Sequence, residues 1–294
     1  MKNVRNNNEK ENEVYTVRDM LNAHGLTLAK SKGQNFLVDP NIPARIVRQS
    51  GLNKSCGVLE VGPGLGSLTT ELSKAAGHVT AVEFDKRFVP ILESIFHDIE
   101  NVSIIQGDVL KINIKQLLSD TMNDTKSGFS YHVCANLPYN ITTPAITAFI
   151  EAETFLSITV MIQKEVAQRI CAKPASPQYS AFTVYTNYHT IPKILFDVSP
   201  ECFFPRPKVT STVVKLDVRK GRLTDRDKEK IFFRVVRAAF GQRRKTLVNA
   251  LYAAFEKTYT KEEIAGIVEK CGFDVRVRGE VLSIDDFIKL SSYF

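Results

Sequence analysis

Residues Gly57 to Thr69 read GVLEVGPGLGSLT: a short apolar run carrying Glu60, then glycines at 62, 64 and 66. The pattern predicts a buried strand that breaks into a glycine loop and opens a helix. A backbone that turns sharply and comes close to a ligand needs residues without Cβ, and the following helix adds free N–H groups and the positive end of its dipole. The loop therefore reads as a ligand cradle, although a glycine turn between strand and helix can also be purely structural. The dinucleotide fingerprint G-x-G-x-x-G would put glycine at Ser67, whereas the order here is Glu60-x-Gly62-x-Gly64-x-Gly66.

Outward from this stretch the chain alternates. Strand-like apolar runs recur at Val79 to Phe84, Val102 to Gln106, Tyr131 to Ala135 and Ser157 to Gln163, separated by helical periods such as Phe88-Ile91-Leu92-Ile95. Such alternation predicts an α/β fold, a doubly wound and mostly parallel sheet with helices on both faces. Ile191 to Val198 and Lys208 to Val218 lie too close together for a crossover helix and are expected to pair antiparallel at a sheet edge. Beyond Lys220 the period is helical throughout, with starts expected at Thr224, at the capping box Thr260-Lys-Glu-Glu263 and at Ser283. Upstream, residues 1 to about 14 read as a polar, Asn-rich tail, followed by a short helix from Thr16. Asp39-Pro40 then starts a helix carrying Ile42, Ile46 and Val47 that Gly51 stops. The expected organisation is a tail and short helix over 1–28, a main domain over 29–219 and a small all-helical domain over 220–294.

Composition narrows the class. The 294 residues are 44% hydrophobic and 24% charged, an ordinary globular balance. The five cysteines and five histidines are scattered, without a C-x-x-C pair, so neither a disulfide framework nor a metal site is expected. No apolar run approaches the roughly 18 residues of a spanning helix, so a cytoplasmic location without membrane contact is expected. The net charge is +7, and Arg219 to Lys245 alone holds 11 Lys and Arg against 3 Asp and Glu. So positive a run is either a solvated helix face or a surface for a polyanion such as nucleic acid. Placed on a helix, the consecutive Arg243, Arg244 and Lys245 would fan across roughly 200°, leaving at least two facing solvent or a partner.

In doubly wound sheets ligands lie beyond the carboxyl ends of the strands. Glu83 ends the second such strand, 21 residues after Gly62, where a carboxylate can accept both ribose hydroxyls of an adenosine-containing ligand. Gln106-Gly107-Asp108 ends the third, and Asp108 can accept from an exocyclic amine. Taken singly these acids would more often be caps or solvated charges; in order, at strand ends and beyond a glycine loop, they read as a site. The fourth strand ends in Asn136-Leu137-Pro138-Tyr139. An exocyclic adenine amine is a poor nucleophile because its lone pair is delocalised into the ring. Acceptance of its two N–H groups by the Asn136 side-chain oxygen and the Leu137 carbonyl would aim that lone pair, while Tyr139 can stack on a base taken out of its helix. Phe203, in the stiff loop Phe203-Phe204-Pro205-Arg206-Pro207-Lys208-Val209, can cover the other face of that base or be an ordinary core residue.

Together these motifs resemble the ribosomal RNA small-subunit adenine N6,N6-dimethyltransferase family, whose activity confers kasugamycin sensitivity on bacterial ribosomes. The match runs from about Leu28 to the C-terminus. It includes Gly33-Gln34-Asn35-Phe36-Leu37, the E-x-G-x-G-x-G loop, Glu83, Gly107-Asp108, NLPY, F-x-P-x-P-K-V and Arg243-Arg244-Lys245-Thr246-Leu247. The resemblance implies a Rossmann-like class I methyltransferase that uses S-adenosylmethionine. Contacts to it are implied at Asn35, Leu37, Gly62, Glu83, Asp108 and Asn136, with Gln34, Gly64, Gly66 and Val109 beside them. The implied substrate is a pair of adjacent adenosines in the last hairpin loop of 16S rRNA, in the assembling small subunit, each receiving two methyls. Arg206, Lys208, Arg243, Arg244 and Lys245 are the candidate RNA contacts, and a monomer is expected. Three alternatives stand beside this reading: the related macrolide-resistance methyltransferases of large-subunit RNA, a ribosome-assembly protein that has lost catalysis, and a small-molecule methyltransferase. The third leaves the basic segment unexplained, and the second predicts an eroded glycine loop or NLPY.

Overall fold

The computed structural model describes residues 17–26, 35–122, 128–219, 225–242 and 244–294, without the side chains of Arg18 and Met122. The expected N-terminal tail, Gln34, Thr224 and Arg243 lie outside the described residues. The strands are β1 (Phe36–Leu37), β2 (Cys56–Val61), β3 (His78–Glu83), β4 (Val102–Gln106), β5 (Ser130–Asn136), β6 (Phe155–Gln163), β7 (Thr190–Val198), β8 (Phe203–Phe204) and β9 (Ser211–Val218). Seven of them form a sheet in the order β4-β3-β2-β5-β6-β9-β7, and β1 pairs with β8 in a separate ribbon. β3 runs parallel to both β2 and β4, with Val58 opposite Val79 and Ala81 opposite Ile104. Every residue of β2 and β3 is buried, the pattern of strands covered on both faces and the reason they read as continuous apolar runs. At the far side β9 is antiparallel to β6 and neighbours β7 at the sheet edge.

The order reverses between β2 and β5, so the ends of these two strands diverge and leave a crevice there. A helix follows most strands: Ser67–Ala75 after β2, Val89–Phe96 after β3, and Thr142–Glu151 beyond β5. The helix Asn41–Ser50 ends at Gly51, whose φ of 78° is the left-handed turn that stops it. Thr260 and Ser283 each form a full capping box, with Glu263 and Asp286. Among the described residues no helix is long and apolar enough to cross a membrane.

By its contacts the chain divides into two compact units, neither continuous in sequence. One takes the described residues up to Phe129 with Cys134–Ala145 and Val198–Thr210; the other takes Ser130–Val133, Ile146–Asp197 and Ser211–Phe294. In the second, the helices Arg226–Gly241, Leu247–Phe255, Lys261–Lys270 and Ile284–Ser291 share one core with Tyr179, Val184 and Tyr188. The Tyr179 hydroxyl donates to the Leu282 carbonyl at 2.9 Å. Short amphipathic helices need a common apolar partner, and the helix Ala181–His189 supplies part of it. The switch to helical period near residue 219 is therefore not where the compact units part. In the first unit, Leu21 of the helix Val17–Ala23 joins Phe36, Leu65, Phe88, Leu92 and Phe96 in a cluster beneath the glycine loop.

Candidate active site

A cavity of about 290 Å³ opens at the carboxyl ends of β2, β3, β4 and β5, wholly within the first unit. Asn35, Leu37, Gly62, Gly64, Glu83, Asp108, Val109, Asn136, Leu137, Pro138 and Tyr139 all line it. Five separate stretches of chain converge there: four leave the sheet at the same edge, and the fifth, residues 35–37, comes from the β1–β8 ribbon.

The glycine loop divides by role. Gly62, Gly64 and Gly66 all have positive φ, and the first two face the cavity. A Cβ on Gly62 would stand 3.7 Å from Pro138 Cδ, in the gap between the loop and the NLPY turn. On Gly64 it would meet the Phe36 ring at 2.9 Å, and on Gly66 the Phe96 ring at 2.7 Å. Gly66, expected among the ligand contacts, does not line the cavity; it seats the helix Ser67–Ala75 against Phe96.

Glu83 is 5% exposed and held at both oxygens: the Gly64 N–H donates to Oε2 at 3.2 Å and the Asp85 N–H to Oε1 at 2.7 Å. Backbone donors at both oxygens fix the plane of the carboxylate. Glu60, also in the cavity wall, is different. It is 1% exposed, and its Oε2 accepts a 2.6 Å bond from the Thr69 hydroxyl. Burial pushes its carboxyl up to about 8; the Thr69 bond opposes the rise and nearby Glu83 adds to it. Asp108 turns the chain after β4, its Oδ1 accepting the Leu110 N–H at 3.1 Å.

At the end of β5 the Asn136 Nδ2 donates to the Asn35 carbonyl at 3.3 Å. The bond orients the amide, whose other end, Oδ1, is a hydrogen-bond acceptor. Tyr139 is half-buried and opens a 3₁₀ turn, Tyr139–Ile141, whose Ile141 N–H donates to the Pro138 carbonyl at 3.1 Å.

Other expected residues are placed elsewhere. Phe203 is 4% exposed, opposite Leu37 in the β1–β8 ribbon, and does not line the cavity. Strand alternation turns Phe203 inward, while its neighbour Phe204 packs against the cluster under the glycine loop. Arg206 is exposed and ion-paired with Glu201, and Lys208 is exposed. Arg244 and Lys245 are exposed but lie in a turn rather than on a helix: the Lys245 N–H donates to the Gln242 carbonyl at 2.8 Å, and Thr246 caps the next helix. Sequence reasoning missed Phe84, which is 59% exposed at the cavity wall, and Asp85 beside it. It also gave Glu60 no role, although an acid inside an otherwise apolar strand is itself a signal. Among the described residues no group of His, Cys, Asp and Glu is placed to hold a metal ion.

A family model of ribosomal RNA adenine dimethylases matches residues 25–289. The chain belongs to the ribosomal RNA adenine dimethylase family. The ribosomal RNA small subunit methyltransferase A of Shouchella clausii (strain KSM-K16) is 42% identical over 273 residues, 92% of this chain and 91% of that protein. Among solved structures, a dimethyladenosine transferase from Plasmodium falciparum has a TM-score of 0.72 at 25% identity, covering 87% of this chain and 95% of that one. The 23S rRNA methyltransferase ErmE has a TM-score of 0.66 at 23% identity, covering 87% of this chain and 98% of that one, a likeness of fold. As a member of the dimethylase family the chain is a methyltransferase of adenine in ribosomal RNA.

Proposed function

We propose that this dimethylase binds S-adenosylmethionine in the cavity and methylates N6 of two adjacent adenosines in the 3′-terminal hairpin loop of 16S rRNA, twice each, during small-subunit assembly. The residues present fit such a cofactor. A glycine loop opens onto a helix N-terminus, Glu83 is oriented to receive a pair of hydroxyls, and Asp108 stands at the next strand end to receive an amine. When bound, S-adenosylmethionine supplies an electrophilic methyl group on a sulfonium.

The observation that carries the reading is the Asn136 bond to Asn35. With Nδ2 held by a backbone carbonyl, the amide is oriented so that Oδ1, an acceptor as a target amine requires, lies at its other end. Asn136 Oδ1 and the Leu137 carbonyl take the two N–H groups and direct the lone pair, and Tyr139 holds the ring face. Pro138 fixes the turn that keeps acceptor and ring together. The helices of 220–294, with Arg244 and Lys245 exposed between two of them, hold RNA phosphates, and Arg206 and Lys208 lie in the loop next to β8. Residues 29–219 are assigned the methyl transfer. The enzyme acts in the cytoplasm as a monomer.

Incubation with labelled S-adenosylmethionine and unmethylated small subunits, followed by mapping of the modified nucleotides, tests the reading. Label on two neighbouring adenosines of the last hairpin is expected; label confined to large-subunit RNA, or none, overturns it.

A further inference from the structure

The turn after β3 contains an ion pair that the proposed chemistry does not use. Asp85 is 2% exposed, and Arg87 grips both of its oxygens: Nε donates to Oδ1 at 3.0 Å and Nη2 to Oδ2 at 2.7 Å. The Arg87 N–H adds a third bond to Oδ1, at 3.3 Å. A carboxylate this deeply buried needs a cationic partner, and a two-pronged guanidinium fixes its plane as well as its charge.

The consequence runs through the backbone. With the Asp85 side chain clamped, its peptide groups are also set: the carbonyl accepts the Phe88 N–H at 2.9 Å, and the N–H points back to Glu83 Oε1 at 2.7 Å. Glu83 Oε2 is meanwhile held by Gly64 of the glycine loop. Phe84, the residue between Glu83 and Asp85, is 59% exposed and anchors the segment less than its buried neighbours do. The ion pair therefore adds a constraint at the point where the chain turns.

We propose that Arg87, through Asp85, is a positioning residue that sets the Glu83 carboxylate in the orientation that accepts the ribose hydroxyls of the cofactor. This rests on the reading of the cavity as an S-adenosylmethionine site with Glu83 at the ribose. Arg87 touches no ligand in this scheme; it acts at one remove, by preventing the Glu83–Asp85 segment from rotating.

Arg87 is the residue to change, since its side chain is about one-third exposed (34%) whereas that of Asp85 is 2% exposed. Calorimetry with S-adenosylhomocysteine and with its 2′-deoxyribose analogue gives two affinities for each protein. In the wild type, removal of the hydroxyl should weaken binding by about ten- to a hundredfold, the range of a hydrogen bond to a charged acceptor. In Arg87→Gln the penalty should shrink to roughly threefold or less, with the natural ligand losing most of the difference; Arg87→Lys, which keeps the charge but not the fork, should fall between. A purely structural role would weaken both ligands alike and keep the ratio. Discrimination retained in both variants therefore overturns the clamp while leaving the cavity reading intact. A wild type that binds neither ligand, or both equally, overturns the cavity reading and the clamp with it.

Discussion

At the scale of single residues, three side chains separate chemistry from packing. Asn136 is anchored by Asn35 and presents one acceptor. Asn136→Ala should leave the melting temperature nearly unchanged and lower methyl transfer by ~10² to 10³, the worth of one oriented polar contact in a transition state; single-turnover rates on unmethylated subunits measure it. Phe203 makes the opposite case. Because it is 4% exposed, Phe203→Ala should cost about 3 to 5 kcal/mol of stability, whereas Phe203→Leu should keep close to full activity per folded molecule. A large activity loss in the folded leucine variant would return Phe203 to the base-stacking role. Glu60 makes stability depend on pH. Its folded-state value of about 8 lies above the ordinary 4.5, so between those values the folded chain holds a proton that the unfolded chain has released. The stabilisation is complete below pH 4.5 and lost as pH rises toward 8. Glu60→Gln, which can still accept from Thr69, should flatten that slope and be more stable than the wild type at pH 8 by up to a few kcal/mol. Denaturant melts from pH 5 to 8.5 decide it, and parallel slopes would contradict the buried neutral acid.

At the scale of elements, glycines of the same type answer differently to their surroundings. Gly66 combines a φ of 83° with the Phe96 ring at 2.7 Å from a would-be Cβ, so Gly66→Ala pays twice, once in backbone strain and once in repacking of Phe96. The backbone part alone is about 1 to 2 kcal/mol. Gly266, inside the helix Lys261–Lys270, has open space where a Cβ would go. Gly266→Ala should stabilise by roughly 0.5 to 1 kcal/mol through helix propensity. Urea midpoints for the two variants should shift in opposite directions; a shared direction would remove the distinction between helix start and helix interior. The capping boxes at Thr260 and Ser283 were readable in sequence because a cap is local, made by residues three apart. The site of Arg244 and Lys245 was not: a basic run continues a helical pattern equally well, and it is the Thr246 cap on Leu247–Phe255 that divides it into a turn.

At the scale of the whole molecule the question is how a positive chain holds a long polyanion. Each phosphate neutralised by Lys or Arg steepens the salt dependence of binding by a slope of roughly 0.7 to 0.9. Changing Arg243, Arg244 and Lys245 together to Gln should flatten the log-log slope by about 2 to 3 and leave S-adenosylmethionine affinity unchanged. Equal slopes for the two proteins would show these charges to be solvated surface. The sequence by itself determined the α/β sheet, the glycine loop after β2 and the placing of Glu83, Asp108 and Asn136 at successive strand ends. It did so because buried parallel strands demand apolar runs, and the chain leaves each strand at one edge of the sheet. Only the tertiary structure decided matters that depend on partners distant in the chain. It set the inward face of Phe203, through pairing with Leu37, and the seating of Gly66, through Phe96. It set the direction of the Asn136 amide, through a carbonyl 101 residues earlier, and the shared core of the C-terminal helices with Tyr179 and Tyr188. Periodicity and spacing encode what a residue's own element needs; which face meets which neighbour is settled only when separate elements compete for the same buried space.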